Sequence, residues 1–345
     1  MIPINKPIYD YREINKVNEV YMSGNFTVSA YSTDGGKYVQ EFEKKLKQAT
    51  GARFAVAVNS GTAAIECSLL AHQIGRGDKV IVPSLTFVAT ANAVRSVGAE
   101  PIFCDVDEFG QLSYAEARIL CNKYDIKAII IVDLYGRVSQ DIKSFASLGK
   151  IVIEDACQAL GTKRAGRTGD TGCFSFYASK VCTTMGLGGA IITDSPVLDS
   201  YLKVMRNQGM VQGDARFNGR NLLMGEANAA FGCVQLERLP SFIRARRKNM
   251  EALGFGEKTN GYMGTILSPQ RDQMLAMFRD ADIGAATYYD KPIHYHSAYT
   301  GQYSLPMTVK YAKEVLNIPV HPEVDSQTID MIKYILAKFK YDYYY

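Results

Sequence analysis

Between residues 54 and 194 short apolar runs alternate with longer segments of helical period, and this rhythm leaves few folds open. The strand-like runs are Phe54-Ala55-Val56-Ala57-Val58, Lys79-Val80-Ile81-Val82-Pro83, residues 101–106, residues 128–134, Ile151-Val152-Ile153, the aromatic-and-small stretch from Gly172, and Ala190-Ile191-Ile192-Thr193-Asp194. Helical patterns separate most of them, one running from the turn at Asn59 to near Gly75, one starting near Ser84 and one over residues 113–124. Buried runs joined by helical crossovers predict an α/β fold, a mostly parallel central sheet with helices on both faces. In such sheets ligands sit at the carboxyl ends of the strands. No G-x-G-x-x-G stands between a strand and a helix; Gly186-Leu187-Gly188-Gly189-Ala190 leads into a strand instead, which disfavours a nicotinamide site.

Outside this block the pattern changes. An entry arm, a helix over residues 38–49 and a Gly-rich polar loop over residues 23–37 precede it, and a helix over residues 196–207 and a polar loop over residues 209–219 follow. A long helix from about Met224 is expected to break at Pro240 and resume to Leu253. Beyond it short strands over residues 262–268, 283–289 and 318–321 mix with helices over residues 271–279, 307–317 and 326–341. The boundary is placed near Gly254, giving a large domain of residues 1–253 and a small α+β domain of residues 254–345. A length of 345 suits one large and one small domain at about 150 residues per domain. The tail Tyr341-Asp342-Tyr343-Tyr344-Tyr345 has no explanation in the sequence.

Within the block, Phe174-Ser175-Phe176-Tyr177-Ala178-Ser179-Lys180 ends a strand on a small-residue bend that carries a lysine with no charged neighbour for several positions. A partly desolvated ammonium there has a lowered pKa and can serve as a nucleophile toward a carbonyl cofactor. A lysine snorkelling from a strand end reads equally well from this stretch alone. The turn Asn59-Ser60-Gly61-Thr62-Ala63-Ala64 opens a helix, so free N–H groups and the positive end of the helix dipole make an anion site, although Ser60 or Thr62 can simply cap. Phe87 falls at the mouth of a strand, where an aromatic either stacks on a flat ring or packs in the core. Asp155 and Gln158 follow the buried run Ile151–Ile153, and Asp155 could equally cap the next helix.

Composition narrows the partners. A net charge of +4 without a long basic stripe argues against nucleic acid. The run Arg244-Ala245-Arg246-Arg247-Lys248 reads first as a solvated helix face, with a phosphate or interface role second. The seven cysteines, Cys67, Cys104, Cys121, Cys157, Cys173, Cys182 and Cys233, form no C-x-x-C pair, so neither a zinc site nor a disulfide framework is expected and no metal is assigned. They fit a reducing cytoplasm. The stretch Met1-Ile2-Pro3-Ile4-Asn5-Lys6 lacks the basic and apolar regions of an export signal, and no apolar run approaches the roughly 18 residues of a membrane span.

Taken jointly, an anion cradle, an aromatic, a carboxylate and an isolated amine at the strand tips of one sheet match the needs of pyridoxal phosphate. Across nearly its whole length the chain resembles the DegT/DnrJ/EryC1/StrS sugar aminotransferases, fold-type-I pyridoxal-phosphate enzymes. Glu154-Asp155-Ala156-Cys157-Gln158 and the stretch from Phe174 to Lys180 carry this resemblance most specifically. Others follow the same order, among them Asn59-Ser60-Gly61-Thr62-Ala63-Ala64, Gly77-Asp78, Thr86-Phe87-Val88-Ala89-Thr90, Arg206-Asn207-Gln208-Gly209, Gly219-Arg220-Asn221, Pro292-Ile293-His294 and Ile318-Pro319-Val320-His321-Pro322. The resemblance implies that Lys180 is the Schiff-base lysine, that Asp155 pairs with the pyridine nitrogen and that Phe87 stacks on the ring. It implies that Gly61, Thr62, Ala63 and Ser175 hold the phosphate and that Gln158 lies near the ring oxygen. It further implies a homodimer with shared active sites, the loop before Asn221 reaching the neighbour's pocket, and His294 near the sugar nucleotide.

The expected reaction moves an amino group from glutamate or glutamine to a nucleotide-linked keto-hexose at carbon 3 or 4. A cyclitol aminotransferase and a non-catalytic pyridoxal-phosphate-binding regulator are the other readings. Departures from the family pattern bear on substrate choice. Leu187 stands where many relatives carry an acid, Leu223 where many carry Arg or Asn, and the chain is short between Arg247 and Arg271.

Overall fold

The computed structural model describes residues 1–28, 32–140, 142–256, 259–299 and 301–343. Its centre is a seven-stranded sheet of β1 (Phe54–Val58), β2 (Lys79–Pro83), β3 (Glu100–Cys104), β4 (Ile126–Val132), β5 (Ile151–Asp155), β6 (Thr171–Ser175) and β7 (Gly189–Thr193). The spatial order is β1-β7-β6-β5-β4-β2-β3. From β3 to β6 every pairing is parallel, and β7 alone is reversed, antiparallel to both β6 and β1. The strands are buried on both faces, which explains why they read as continuous Val/Ile runs rather than alternating ones.

Helices cover the two faces: α1 (Tyr11–Ser23), α2 (Lys37–Thr50), α3 (Gly61–Ala71), α4 (Ala89–Ser96), α5 (Tyr114–Lys123), α6 (Ile142–Ala146), α7 (Pro196–Arg206) and α8 (Glu226–Ala252). One apolar cluster joins Phe42, Leu46, Phe174, Phe176 and Phe242, and another joins Ile65, Leu69, Val80, Val82 and Phe103. Helix α8 does not break at Pro240; it runs unbroken over 27 residues. Proline removes one ladder hydrogen bond, and burial of Leu236, Leu239 and Phe242 around it outweighs that loss. The loop over residues 209–219 contains a short hairpin of β8 (Met210–Val211) and β9 (Asp214–Ala215). Helix α4 begins at Ala89, not near Ser84, because the Ser84 hydroxyl and carbonyl are held by the segment at His294. Helix α1, which lacked a clear sequence signal, is set by a capping box between Asp10 and Glu13.

Beyond α8 a three-stranded antiparallel sheet forms from β10 (Gly264–Leu267), β11 (Val315–Ile318) and β12 (Asp342–Tyr343), packed with α9 (Arg271–Asp280) and α11 (Ser326–Leu336). Helix α10 (Pro306–Glu314) precedes β11. The expected strand over residues 283–289 reduces to isolated bridges at Ile283 and Ala286. Part of the tyrosine tail now has a role: Tyr343 pairs in β12, packs 4.7 Å from the Phe255 ring and donates its hydroxyl to the Leu253 carbonyl at 2.9 Å. Tyr344 and Tyr345 lie outside the described residues. Among the described residues no helix is long and apolar enough to cross a membrane.

A buried carboxyl at the end of β4 yields a pH prediction. Asp133 is fully buried, and burial, reinforced by Glu154 and Asp155, raises its pKa well above the ordinary carboxylate value. The Ser139 and Gly166 N–H groups face it without forming well-shaped hydrogen bonds, the latter already donating to Glu154 at 2.9 Å. The folded state therefore binds more protons than the unfolded chain once pH exceeds the unfolded pKa, so this group's contribution falls as pH rises. Asp133→Asn, neutral at every pH, is expected to raise the melting temperature at pH 8 and to leave it nearly unchanged at pH 4. An equal shift at both values would contradict the assignment.

Candidate active site

The sheet's strand tips converge on one cavity of about 590 Å³. The carboxyl ends of β1, β2, β4, β5 and β6 all point to this edge, and reversed β7 begins there, so one sheet edge collects residues distant in sequence. Gly61, Thr62, Phe87, Asp155, Gln158, Ser175 and Lys180 all line the cavity.

Asp155 ends β5 and is buried on the cavity wall. Its Oδ2 accepts from Thr90 Oγ1 at 2.8 Å and its Oδ1 from the Cys157 N–H at 3.3 Å, so the carboxylate is oriented rather than spent on a cation. Lys180 stands half-buried on the bend after β6. Its Nζ donates to the Tyr262 hydroxyl at 3.3 Å and sits 4.8 Å from the centre of that ring. Phe87 exposes half its surface, 54%; its ring forms a wall beside Tyr289, 5.9 Å away.

At the turn into α3 the capping reading holds. Ser60 caps the helix, its Oγ accepting from the Ala63 N–H at 3.1 Å. The N–H groups of Gly61 and Thr62 have no partner among the described residues. Gly61 is required by space: a Cβ there would lie 2.8 Å from both Cys157 Sγ and Ser175 Cβ. Gly189 is required likewise, since its Cβ would meet the Ser60 carbonyl oxygen at 2.1 Å. Glycine thus keeps a concave backbone cradle open beside the Ser175 hydroxyl.

Three of the expected residues lie off the wall of this cavity in their own chain. The Ala63 N–H is taken up by Ser60, and Ala63 is not on the cavity wall. Asn221 is exposed on the loop before α8, outside the cavity of its own chain, its carbonyl accepting from Asn59 Nδ2 at 3.4 Å. His294 lies in a neighbouring depression with Tyr295 and Tyr303. Its Nδ1 is 2.6 Å from Ser84 Oγ, and burial holds its pKa below the ordinary value. Gln158 is on the wall, with its amide already bonded to the Tyr135 N–H at 2.7 Å and to the Tyr289 hydroxyl at 3.2 Å.

The wall also carries residues that the sequence reading missed: Thr90, Tyr135, Tyr177, Tyr262, Tyr288, Tyr289 and Asn5. Tyr135 had a signal, for it follows the carboxyl end of β4; it is buried in the left-handed region at φ 56, a costly conformation for tyrosine. Tyr262, Tyr288 and Tyr289 come from the chain beyond α8 and had none.

These residues fit pyridoxal phosphate. Two unpartnered N–H groups at a helix start and a serine hydroxyl suit a phosphate, an exposed aromatic suits a flat ring, an oriented carboxylate suits a protonated pyridine, and one amine suits an aldehyde.

Comparison with known proteins agrees. The sequence profile of the DegT/DnrJ/EryC1/StrS aminotransferase family matches residues 7–256 and 257–337. The chain is 30% identical over 370 residues to a GDP-perosamine synthase of Escherichia coli O157:H7, covering 99% of each. It is 33% identical over 331 residues to a UDP-N-acetyl-3-dehydro-alpha-D-glucosamine 3-aminotransferase of Acidithiobacillus ferrooxidans, covering 88% of this chain and 89% of that one. A crystal structure of a DegT/DnrJ/EryC1/StrS aminotransferase from Brucella abortus superposes with a TM-score of 0.86 at 30% identity, covering 95% of both chains. The chain therefore belongs to the DegT/DnrJ/EryC1/StrS aminotransferase family and is a pyridoxal-phosphate-dependent aminotransferase of fold type I.

Proposed function

We propose that this enzyme transfers an amino group from glutamate or glutamine to a nucleotide-linked keto-hexose, at carbon 3 or 4. The observation that carries the reading is one amine and one oriented carboxylate, Lys180 and Asp155, opening onto a single cavity beside an anion cradle. The names of the similar proteins, a perosamine synthase and a 3-aminotransferase acting on nucleotide sugars, support the sugar substrate.

When bound, pyridoxal phosphate supplies an aldehyde to carry the amino group and a ring that withdraws electrons from the carbon being deprotonated. The protein's own groups do the rest. Gly61, Thr62 and Ser175 bind the phosphate, and Ala63 supports them by joining its N–H to the Ser60 cap. Phe87 fixes the ring plane. Asp155, held by Thr90, would meet the pyridine nitrogen, and Gln158 donates to the Tyr289 hydroxyl and so orients that ring. Lys180 Nζ is the amine that would hold the aldehyde, and as a free amine it would move the proton at the substrate carbon as general acid and base.

Screening the purified protein with glutamate against keto-sugar nucleotides and keto-inositols, with 2-oxoglutarate release as the readout, tests the substrate class. Release with a keto-inositol alone would overturn the sugar reading.

The same reading makes the enzyme a homodimer that shares its sites, with Asn221 entering the partner's cavity and His294 close to the nucleotide sugar. Tyr11, Tyr21, Met22, Phe26, Met185 and Leu187 are exposed large apolar side chains on one chain, which a partner subunit would cover. Sedimentation equilibrium is expected to give twice the 38.1 kDa of one chain. A monomer at micromolar concentration would rule out the sharing of sites.

A further inference from the structure

The chain beyond α8 returns one side chain, Tyr262, to the amine of Lys180, and its backbone is held there by hydrogen bonds on two sides. On one side Asn260, fully buried, accepts from the Tyr262 N–H at 3.0 Å and donates to the carbonyls of Gln158 and Leu160 at 2.9 and 3.0 Å. On the other, the guanidinium of Arg246 donates through Nη1 to the carbonyls of Gly261 and Tyr262 at 3.2 and 3.3 Å. Arg246 belongs to the basic run that the sequence presented as a solvated face, yet it points inward and is fully buried. Burial depresses its pKa to about 10, which still leaves it charged at neutral pH. Gly261, at φ +67, lets the strap pass so close that a Cβ would lie 2.7 Å from Arg246 Cβ. Burying a cation is costly, and the hydrogen bonds that Nη1 makes go to the backbone that carries the Tyr262 ring, while Nε has no partner among the described residues.

We infer that Tyr262, fixed by Arg246 and Asn260, is a positioning residue for the amine of Lys180. Its hydroxyl oxygen accepts from Nζ and its ring face lies under the same nitrogen, so it fixes where the nitrogen waits once it is free. Seated there, Nζ stays on the cavity side of its bend, in reach of the carbon whose proton it moves. No other part of the mechanism accounts for this tyrosine, and the inference rests on Lys180 being the covalent anchor.

The test is Tyr262→Phe, which keeps the ring and removes the acceptor. Two readouts are expected to separate. Covalent uptake of pyridoxal phosphate by the apoprotein, followed by absorbance, stays close to that of the unaltered protein, because Nζ and the phosphate cradle remain. Single-turnover formation of 2-oxoglutarate from glutamate, in contrast, slows roughly tenfold or more with the glutamate KM little changed, because the freed nitrogen is misplaced. Arg246→Gln is expected to reproduce this split at smaller size. Loss of both rates together would reduce Tyr262 to a packing role, and an unchanged turnover would likewise overturn the inference. Lys180→Ala separates the two claims: if that variant still attaches the cofactor covalently, the anchor assignment itself is wrong. If it does not, while Tyr262→Phe matches the unaltered protein, only the role of Tyr262 fails.

Discussion

Lys180→Ala is expected to lower the transamination rate by at least about 10³-fold, since a positioned acid–base group contributes 10²–10⁴-fold and the covalent anchor is lost with it. The side chain is half-buried at the edge of the cavity and its recorded contacts are to Tyr262, so its removal leaves the core untouched. The melting temperature should stay within a few degrees of the unaltered value. Pyridoxal phosphate should still bind, because the cradle at Gly61 and the carboxylate of Asp155 remain, but borohydride should no longer fix it to the protein. A variant retaining a tenth or more of the rate would contradict the assignment. So would a protein that still gains a borohydride-stable adduct, for then another amine carries the cofactor.

The largest expected effect on stability lies away from the cavity. Arg206 is wholly buried, and its Nη1 donates to Glu43 Oε1 at 2.5 Å and to the Ala57 carbonyl at 2.8 Å, while Nη2 donates to the Thr33 carbonyl at 3.2 Å. The same Glu43 oxygen accepts from the Ala57 N–H at 2.9 Å, so one carboxylate ties α2 and α7 to the strand that leads into the Gly61 turn. Glu43→Ala strands a cation in the core and leaves the Ala57 N–H unpaired. A loss of about 3–5 kcal/mol is expected, the usual cost of breaking a buried ion pair from one side. The drop should appear as a much lower thermal midpoint, accompanied by weaker cofactor retention as β1 loosens. Replacing both partners, Glu43→Leu with Arg206→Met, should recover most of the loss, because neither charge is then left alone. A double variant as unstable as the single one would show that shape, and not charge, sets the site.

Much of the cavity was legible before any coordinates. Phe87, Asp155, Gln158, Ser175 and Lys180 each follow a strand that announces itself by a short apolar run, and the rule that ligands gather at strand carboxyl ends collects them. Gly61 and Thr62 were legible because a helix start with glycine has a chemistry of its own. Other features were hidden for identifiable reasons. Arg246 sits among four neighbours that read as a solvated helix face, and only packing turns it inward. Helix α8 passes through Pro240 because surrounding burial exceeds the local penalty, an energy no window of sequence contains. Helix α1 shows mostly exposed apolar residues, so its periodicity did not point to the core of a single chain.

The sequence by itself determined the alternation of strands and helices, the parallel sheet that follows from it and the identity of the residues at its tips, because burial on both faces and the turn chemistry of glycine act locally along the chain. Tertiary structure decided the rest: that Ala63 serves the Ser60 cap and not the cavity, that His294 faces a separate depression, and that tyrosines from beyond α8 complete the wall. Those outcomes depend on how distant segments meet in space, and the free energy of that meeting belongs to pairs of surfaces rather than to either stretch alone.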